Sequence, residues 1–283
     1  RTEPDGDCVE FTYDARGNRL SSTRMDAGQC AGGLAAAAAE SRTWLYTYEE
    51  RFNQLKTKTD PLGNTTTYIY DYEAGAGEAG KLVSIEYPAV AVADGGTDTP
   101  TMQYTYNALG LLTSMTDEAG ITTRYNYNAN GQLTTIVEND GGLNLTTSFQ
   151  DFDAAGRPQT VIGPRDNTYR YTYDVWGRVL TMTDPLGIVT RHEYDGRGNM
   201  IRATKDYTAD NTSGRNLATS YSYDVDNRLL EQRTNADGIL QKDSYAYDIN
   251  GNLATYTDSE DQTVYFTYDD ANQLTSVKNP LEQ

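Results

Sequence analysis

Acidic side chains are the commonest chemistry-bearing groups in this sequence, with 41 Asp and Glu among 283 residues, and many of them recur in one context. Asp14, Asp174, Asp195, Asp224, Asp248 and Asp269 each follow an aromatic residue directly and stand three residues ahead of a Gly or Asn. Two carboxyls in unlike surroundings can divide the roles of general acid and general base. Catalysis would require one of these sites to differ from the rest, and they are alike. Asp at the start of a tight turn accepts hydrogen bonds from its own downstream backbone, so these carboxylates read as turn acceptors. The side chains that would complete other chemistries are scarce. His192 is the single histidine and takes an aromatic position in the strand leading to Tyr194, which suits packing or surface exposure and removes most metal and triad schemes. Ser21-Ser22 has no base placed for it, and no Gly-rich loop runs into a phosphate-binding helix. Asp258, Glu260 and Asp261 form the most acidic short cluster, but without EF-hand spacing they read as a solvated loop. The sequence therefore predicts no catalytic residue, no metal site, no cofactor and no enzyme activity within these residues.

Cys8 and Cys30 are the two cysteines, and they flank the hairpin that holds Tyr13, Asp14 and Gly17. A disulfide between them would pin that hairpin and indicate an oxidising compartment, with free thiols as the alternative.

The elements that carry these groups repeat along the chain. Taking the residue after the second aromatic as the marker, the pattern falls at Asp14, Glu49, Asp71, Asn107, Asn128, Asp153, Asp174, Asp195, Asp224, Asp248 and Asp269, which is eleven copies. Four intervals equal 21 residues, room for two strands and two turns. Tyr171 and Tyr173 are two apart and share one strand face, while Thr172 points to the other. Gly177 closes the turn begun at Asp174, and Asp184, Pro185 and Gly187 repeat the device ten residues later: an acceptor, a fixed φ and a residue that takes positive φ. Doublets from Tyr46/Tyr48 to Phe266/Tyr268 are expected to stack as an aromatic stripe across successive hairpins and to be buried between repeats. The opposite, Thr-rich face can be wet.

These features predict an all-β chain of tandem antiparallel β-hairpins forming a coiled sheet or spiral shell segment, with residues 1–283 as one array. Twenty-three tyrosines, 25 glycines and 37% hydrophobic residues exclude the continuous apolar runs of a parallel α/β core. Three interruptions, at 27–43 with the run Ala35 to Ala39, at 86–101 and at 206–218, are expected as loops on one edge of the sheet. A net charge of −18 without a basic stripe disfavours nucleic acid, and no apolar stretch approaches the ~20 residues that span a bilayer. Both ends look cut, since Asn279-Pro-Leu-Glu282 resembles a turn whose next strand is missing, so an excerpt of a longer array is expected.

Phe11-Thr-Tyr-Asp-Ala-Arg-Gly-Asn-Arg-Leu20, Tyr171-Thr-Tyr-Asp-Val-Trp-Gly177 and Thr183-Asp-Pro-Leu-Gly187 closely resemble the YD repeat of the RHS family over residues 9 to 281. Phe52, Asn107, Asn128, Asn227 and Asn272 depart from its usual pattern. Members include toxin-complex C components and teneurins, whose repeats form large β-hairpin shells that in bacteria commonly enclose a C-terminal toxin. The resemblance implies a structural shell segment of a secreted or cell-surface protein, with the remaining repeats and a toxin of the same parent as partners. The alternative is an adhesive module or filament subunit that binds carbohydrate or protein, or self-associates at exposed sheet edges.

Overall fold

Short β-branched and aromatic segments separated by acid-to-glycine turns form antiparallel strands in the computed structural model, which describes residues 8–25, 41–93, 95–208, 217–236 and 239–279. The chain divides into two compact units, Arg1–Thr146 and Thr147–Gln283.

The first unit holds β1 (Cys8–Tyr13), β2 (Arg19–Met25), β3 (Arg42–Tyr48), β4 (Leu55–Thr59), β5 (Thr65–Tyr70), β6 (Leu82–Glu86), β7 (Val90–Ala91), β8 (Thr97–Asp98), β9 (Thr101–Tyr106), β10 (Leu112–Thr116), β11 (Thr122–Tyr127) and β12 (Leu133–Glu138). Its sheet is a meander in which each strand pairs antiparallel with the next, β6 passing directly to β9. The second unit repeats the arrangement with most of β13 (Leu145–Phe152), then β14 (Pro158–Ile162), β15 (Thr168–Tyr173), β16 (Val179–Thr183), β17 (Val189–Tyr194), β18 (Met200–Lys205), β19 (Leu217–Tyr223), β20 (Leu229–Ala236), β21 (Ile239–Tyr247), β22 (Leu253–Thr257), β23 (Thr263–Tyr268) and β24 (Leu274–Lys278). Both units are all-β meanders of hairpins. Among the described residues no segment is helical, so none is long and apolar enough to cross a membrane as a helix.

The two strand faces differ as period-two alternation requires. Tyr171 and Tyr173 are half-buried while Thr172 between them is exposed, and the same holds around Thr47, Thr105 and Thr267. The exposed hydroxyls pair across strands, Thr47 with Thr57 at 2.6 Å, Thr105 with Thr113 at 2.8 Å and Thr172 with Thr181 at 2.6 Å. On the aromatic side burial is shallower than expected. Among the described residues Tyr70, 6% exposed, is the one buried hydrophobic side chain, because within each unit a single sheet leaves its aromatic face without a second layer above it.

Two of the predicted interruptions are shorter than expected because the ladders extend into them. Arg42 and Thr43 already belong to β3, and residues 26–40, with the alanine run, lie outside the described residues. Leu217 and Ala218 open β19, and 209–216 lie outside the described residues. The segment 86–101 is more ordered than a loop: Glu86 and Thr101 pair with each other, and between them β7 and β8 make a small hairpin.

Candidate functional site

The recurring feature with the most chemistry is the turn. At Asp174 the carbonyl accepts the Gly177 N–H at 3.1 Å, while the Asp174 N–H donates to the Arg178 carbonyl at 2.9 Å. The carboxylate Oδ1 takes the N–H groups of Trp176 and Arg178, both at 2.9 Å. Gly177 sits at φ 90°, the left-handed region that closes a type I turn with a bulge. The same bonds recur at Asp14, at Asp184 with Gly187 at φ 81°, and at Asp195, Asp248 and Asp258. Pro185 occupies the second corner of the Asp184 turn, where its fixed φ suits it. Asn107 and Asn128 accept the same pair of N–H groups through their amide oxygens, which asks no charge of the acceptor. Asn227 and Asn272 take the glycine position at φ 64° and 61°. The acidic cluster at Asp258 is one more such turn, with Asp261 at φ 59°.

Two turns depart from the pattern. The loop after Glu49 is one residue longer, with Asn53 rather than Phe52 at positive φ, and the Glu49 N–H reaches the Gln54 carbonyl at 2.9 Å. The longer glutamate spans it, accepting from Arg51, Phe52 and Gln54 N–H at 2.6 to 2.9 Å. Burial would push the Glu49 carboxyl up, yet those N–H groups, with the Tyr72 hydroxyl alongside, hold it at about 2. Burial, followed by the Glu49 carboxylate, raises Tyr72, whose hydroxyl is enclosed without a well-aligned hydrogen bond. Asp71 closes an even longer loop, its N–H bonded to the Lys81 carbonyl at 2.8 Å and its carboxylate taking the N–H groups of Tyr72, Ala79 and Gly80.

Neighbouring repeats are joined by bonds that the sequence pattern alone does not reveal. The second aromatic of a doublet sends its hydroxyl back to the carbonyl of the residue that opens the preceding return strand. In the first unit Tyr48, Tyr70, Tyr106 and Tyr127 reach Arg19, Leu55, Leu82 and Leu112 at 2.7 to 3.2 Å. In the second, Tyr173, Tyr194, Tyr223 and Tyr247 reach Pro158, Val179, Met200 and Leu229 at 2.8 to 3.0 Å. The expected ring-on-ring stripe is corrected by this geometry. Tyr171 and Tyr173 stack within their own strand at 6.4 Å. Doublets of successive hairpins are separated by a return strand, hence by about 10 Å, beyond the 7 Å limit of an aromatic pair.

The fourth residue after the turn acid supplies a second link. Arg178 donates through Nε to its own Asp174 at 2.6 Å and through Nη1 to the Asp195 carbonyl of the next turn at 3.3 Å. Its guanidinium lies 4.8 Å from the Trp176 ring and 4.4 Å from the Tyr194 ring. Arg157 joins Asp153 to the Asp174 turn in the same way and covers Tyr173 at 4.7 Å. Where the residue is Asn, amides replace the guanidinium: Asn18 with Asn53, Asn199 with Asn227 and Asn252 with Asn272, at 2.7 to 2.9 Å. Recurrence of Arg or Asn four residues after the acid was the available sequence signal. These contacts hold the turn carboxyls below their usual range. The fourth-position side chain leads at Asp14, Asp153 and Asp248, and the Arg228 N–H leads at Asp224. At Asp174 and Asp195 burial acts in the opposite sense and is outweighed by the N–H and side-chain donors of Arg178 and Asn199.

The remaining candidates fall outside any reactive grouping. His192 is half-buried in β17 opposite Ala203, its Nδ1 enclosed without a hydrogen-bond partner. Ser21 shares a hydroxyl bond of 2.7 Å with Thr12. Cys8 opens β1, whereas Cys30 lies outside the described residues. Among the described residues no three His, Cys, Asp or Glu side chains are grouped to hold a metal ion.

Sheets of short hairpins fastened turn to turn, with acids taken up as turn acceptors, define a β-shell scaffold segment. Residues 106–143, 152–189 and 175–210 match the RHS repeat model, and residues 206–280 match the teneurin YD-shell model. The chain belongs to the RHS repeat and YD-shell family. It is 32% identical over 233 residues to the tRNA nuclease WapA of Bacillus subtilis (strain 168), covering 81% of this chain and 9% of that protein. It is 27% identical over 173 residues to the double-stranded DNA deaminase toxin A of Burkholderia cenocepacia (strain H111), covering 60% of this chain and 11% of the toxin. The chain thus spans about a tenth of the length of these relatives. Among solved structures, the Photorhabdus luminescens Tc holotoxin pore matches 97% of this chain and 15% of its own, at 17% identity and a TM-score of 0.67. A TcdB2–TccC3 structure without its hypervariable C-terminal region matches 97% and 16%, at 16% identity and a TM-score of 0.62. These two likenesses concern the fold. Secreted or cell-surface localisation is typical of RHS and toxin-complex repeat proteins, and the chain takes it with its family.

Proposed function

We propose that this chain is a stretch of wall in a hollow shell whose interior holds another domain of the same parent protein. The observation that supports this reading is the ladder of turns and tyrosines, which lets each repeat take its cover from the next instead of from a core of its own, as a thin wall requires. The eleven repeats act as one array, with insertions at its edges. The enclosed partner is a toxin-type domain. The nuclease and deaminase named in the relatives favour such a cargo, and the short share of those proteins that the chain spans supports seating the activity in another part of the parent. Engagement of the second tyrosine hydroxyls within the wall favours this role over a tyrosine face offered to carbohydrate. A Cys8–Cys30 disulfide would fasten the first repeat against unravelling. Intact mass after alkylation without reductant tests it: two alkylated thiols would remove the bridge.

The role itself is tested on the full-length parent. Cryo-EM is expected to show a closed particle with interior density beyond the hairpins, and limited proteolysis to spare that interior domain until the wall is breached. An open, empty sheet with a freely digested remainder would reject enclosure.

A further inference from the structure

We infer that Tyr245 and Tyr256 form an oxidative modification site, at which a haem peroxidase with hydrogen peroxide joins the two rings as a dityrosine that fastens β21 to β22. In each hairpin the first aromatic of the doublet faces one position of the return strand. That position holds an aliphatic, thioether or polar side chain, as in Tyr104 with Met115, Tyr125 with Ile136 and Tyr171 with Met182. Among the described residues, β21–β22 is the one hairpin in which the facing residue is a second tyrosine. The Tyr245 and Tyr256 ring centroids lie 5.4 Å apart at an interplanar angle of 39°, so the rings are in contact across the strands. The other two tyrosine pairs in ring contact, Tyr70 with Tyr72 and Tyr171 with Tyr173, are wider, at 6.2 and 6.4 Å. Each of those lies within a single strand, where a covalent link would tie residues two apart and fasten nothing across the sheet.

A carboxylate beside the pair supplies the second requirement. Asp243 stands two residues before Tyr245, hence on the same strand face, and its Oδ1 accepts the Tyr256 hydroxyl at 3.3 Å. Burial, then the Asp243 carboxylate, raises the Tyr256 hydroxyl, so at neutral pH it reacts as the neutral phenol and sheds a proton together with its electron. Asp243 is placed to take that proton. Tyr245 gives its electron to the oxidant and its proton to water. The two phenoxyl radicals then couple carbon to carbon at positions beside the hydroxyls, and each coupling carbon passes its hydrogen to the oxygen of its own ring, which restores both phenols. Two electrons and two protons leave the pair, and one hydrogen peroxide becomes two waters. Both tyrosines are half-buried, which leaves part of each side chain within reach of an oxidant. The product closes the chain between residues 245 and 256 with a bond that thiols do not reduce, and it constrains the unfolded chain as a disulfide does. It suits the oxidising surroundings of a secreted or cell-surface protein, and a sheet whose aromatic face has no second layer to hold its hairpins.

Treatment of the dilute 283-residue chain with a haem peroxidase and hydrogen peroxide tests the inference, the monomer being isolated by gel filtration, read by dityrosine fluorescence and digested on the N-terminal side of Asp. Cleavage before Asp243, Asp248 and Asp258 separates residues 243–247 from 248–257, and these two peptides are expected to stay joined, two hydrogens short of their summed mass. Tyr245→Phe and Tyr256→Phe each keep an aromatic ring and should lose the joined peptides and most of the fluorescence of the monomer. Asp243→Asn removes the proton acceptor and should form the link more slowly. Release of the two peptides as separate species from the oxidised monomer, or fluorescence undiminished in a Phe variant that remains folded by circular dichroism, would overturn the proposal. An unchanged rate in Asp243→Asn would overturn the role given to that carboxylate. None of these results bears on enclosure, which is read from the interior of the parent particle.

Discussion

The smallest unit that carries this structure is a single phenolic hydroxyl. Tyr70 shows its worth most cleanly, because its ring is buried and its hydroxyl meets the Leu55 carbonyl at 2.7 Å. Tyr70→Phe keeps the ring and deletes the bond, so a loss of about 1 kcal/mol is expected in chemical denaturation. Tyr13→Phe in dilute solution serves as the internal control, since its hydroxyl has no partner among the described residues, and should leave the midpoint unchanged. Equal losses in the two variants would mean that the bond from the Tyr70 hydroxyl to the Leu55 carbonyl adds no stability of its own. Asn in place of the turn acid or the turn glycine shows the same economy: Asn107 keeps the acceptor without its charge, and Asn227 keeps the left-handed backbone without a glycine.

At the scale of the element, side-chain length follows turn length in the tight turns, whereas the much longer loop after Asp71 folds its own N–H groups back onto an Asp carboxylate. A three-residue loop is spanned by Asp or Asn, and the longer loop at 49–54 by Glu, which is one methylene longer. Glu49→Asp restores the usual acid of this repeat and is nevertheless expected to destabilise, by on the order of 1 kcal/mol, because the shorter carboxylate cannot reach the same three N–H groups. Thermal melting of that variant checks the point. A midpoint at or above wild type would show that charge alone, and not reach, decides the residue at this turn.

At the scale of the whole molecule the many turn carboxyls act together in the response to pH. Their folded values are lowered, at Asp14, Asp60, Asp71, Asp153, Asp174, Asp195, Asp224 and Asp248 and to about 2 at Glu49. A lowered folded pKa stabilises above the unfolded value, about 4, and that stabilisation disappears as pH falls through the folded values. Burial raises Tyr70, Tyr106, Tyr173 and Tyr194, and a raised pKa stabilises below the unfolded value, about 10, until pH climbs through the folded one. Melting temperature should therefore form a plateau from about pH 5 to about pH 9, falling toward pH 2 on the acid side and above pH 10 on the other. An acid transition centred above pH 5 would contradict the carboxylate ladder as the source of the acid limb.

The hairpins, their turns and the two-faced strands are determined by sequence alone, because each depends on groups within about five residues: an acceptor, a left-handed position and a period of two. That locality is why Asp174 with Gly177 and Asp184 with Gly187 could be placed before any coordinates. The links between hairpins depend on residues fifteen or more positions apart, and only the tertiary structure decides them. Tyr173 could be assigned to a face, but not to the Pro158 carbonyl. Strand pairing alone sets Arg178 between two turns and two rings. The stacked aromatic stripe failed for the same reason in reverse: adjacency in the repeat pattern is not adjacency in the sheet, where a return strand lies between.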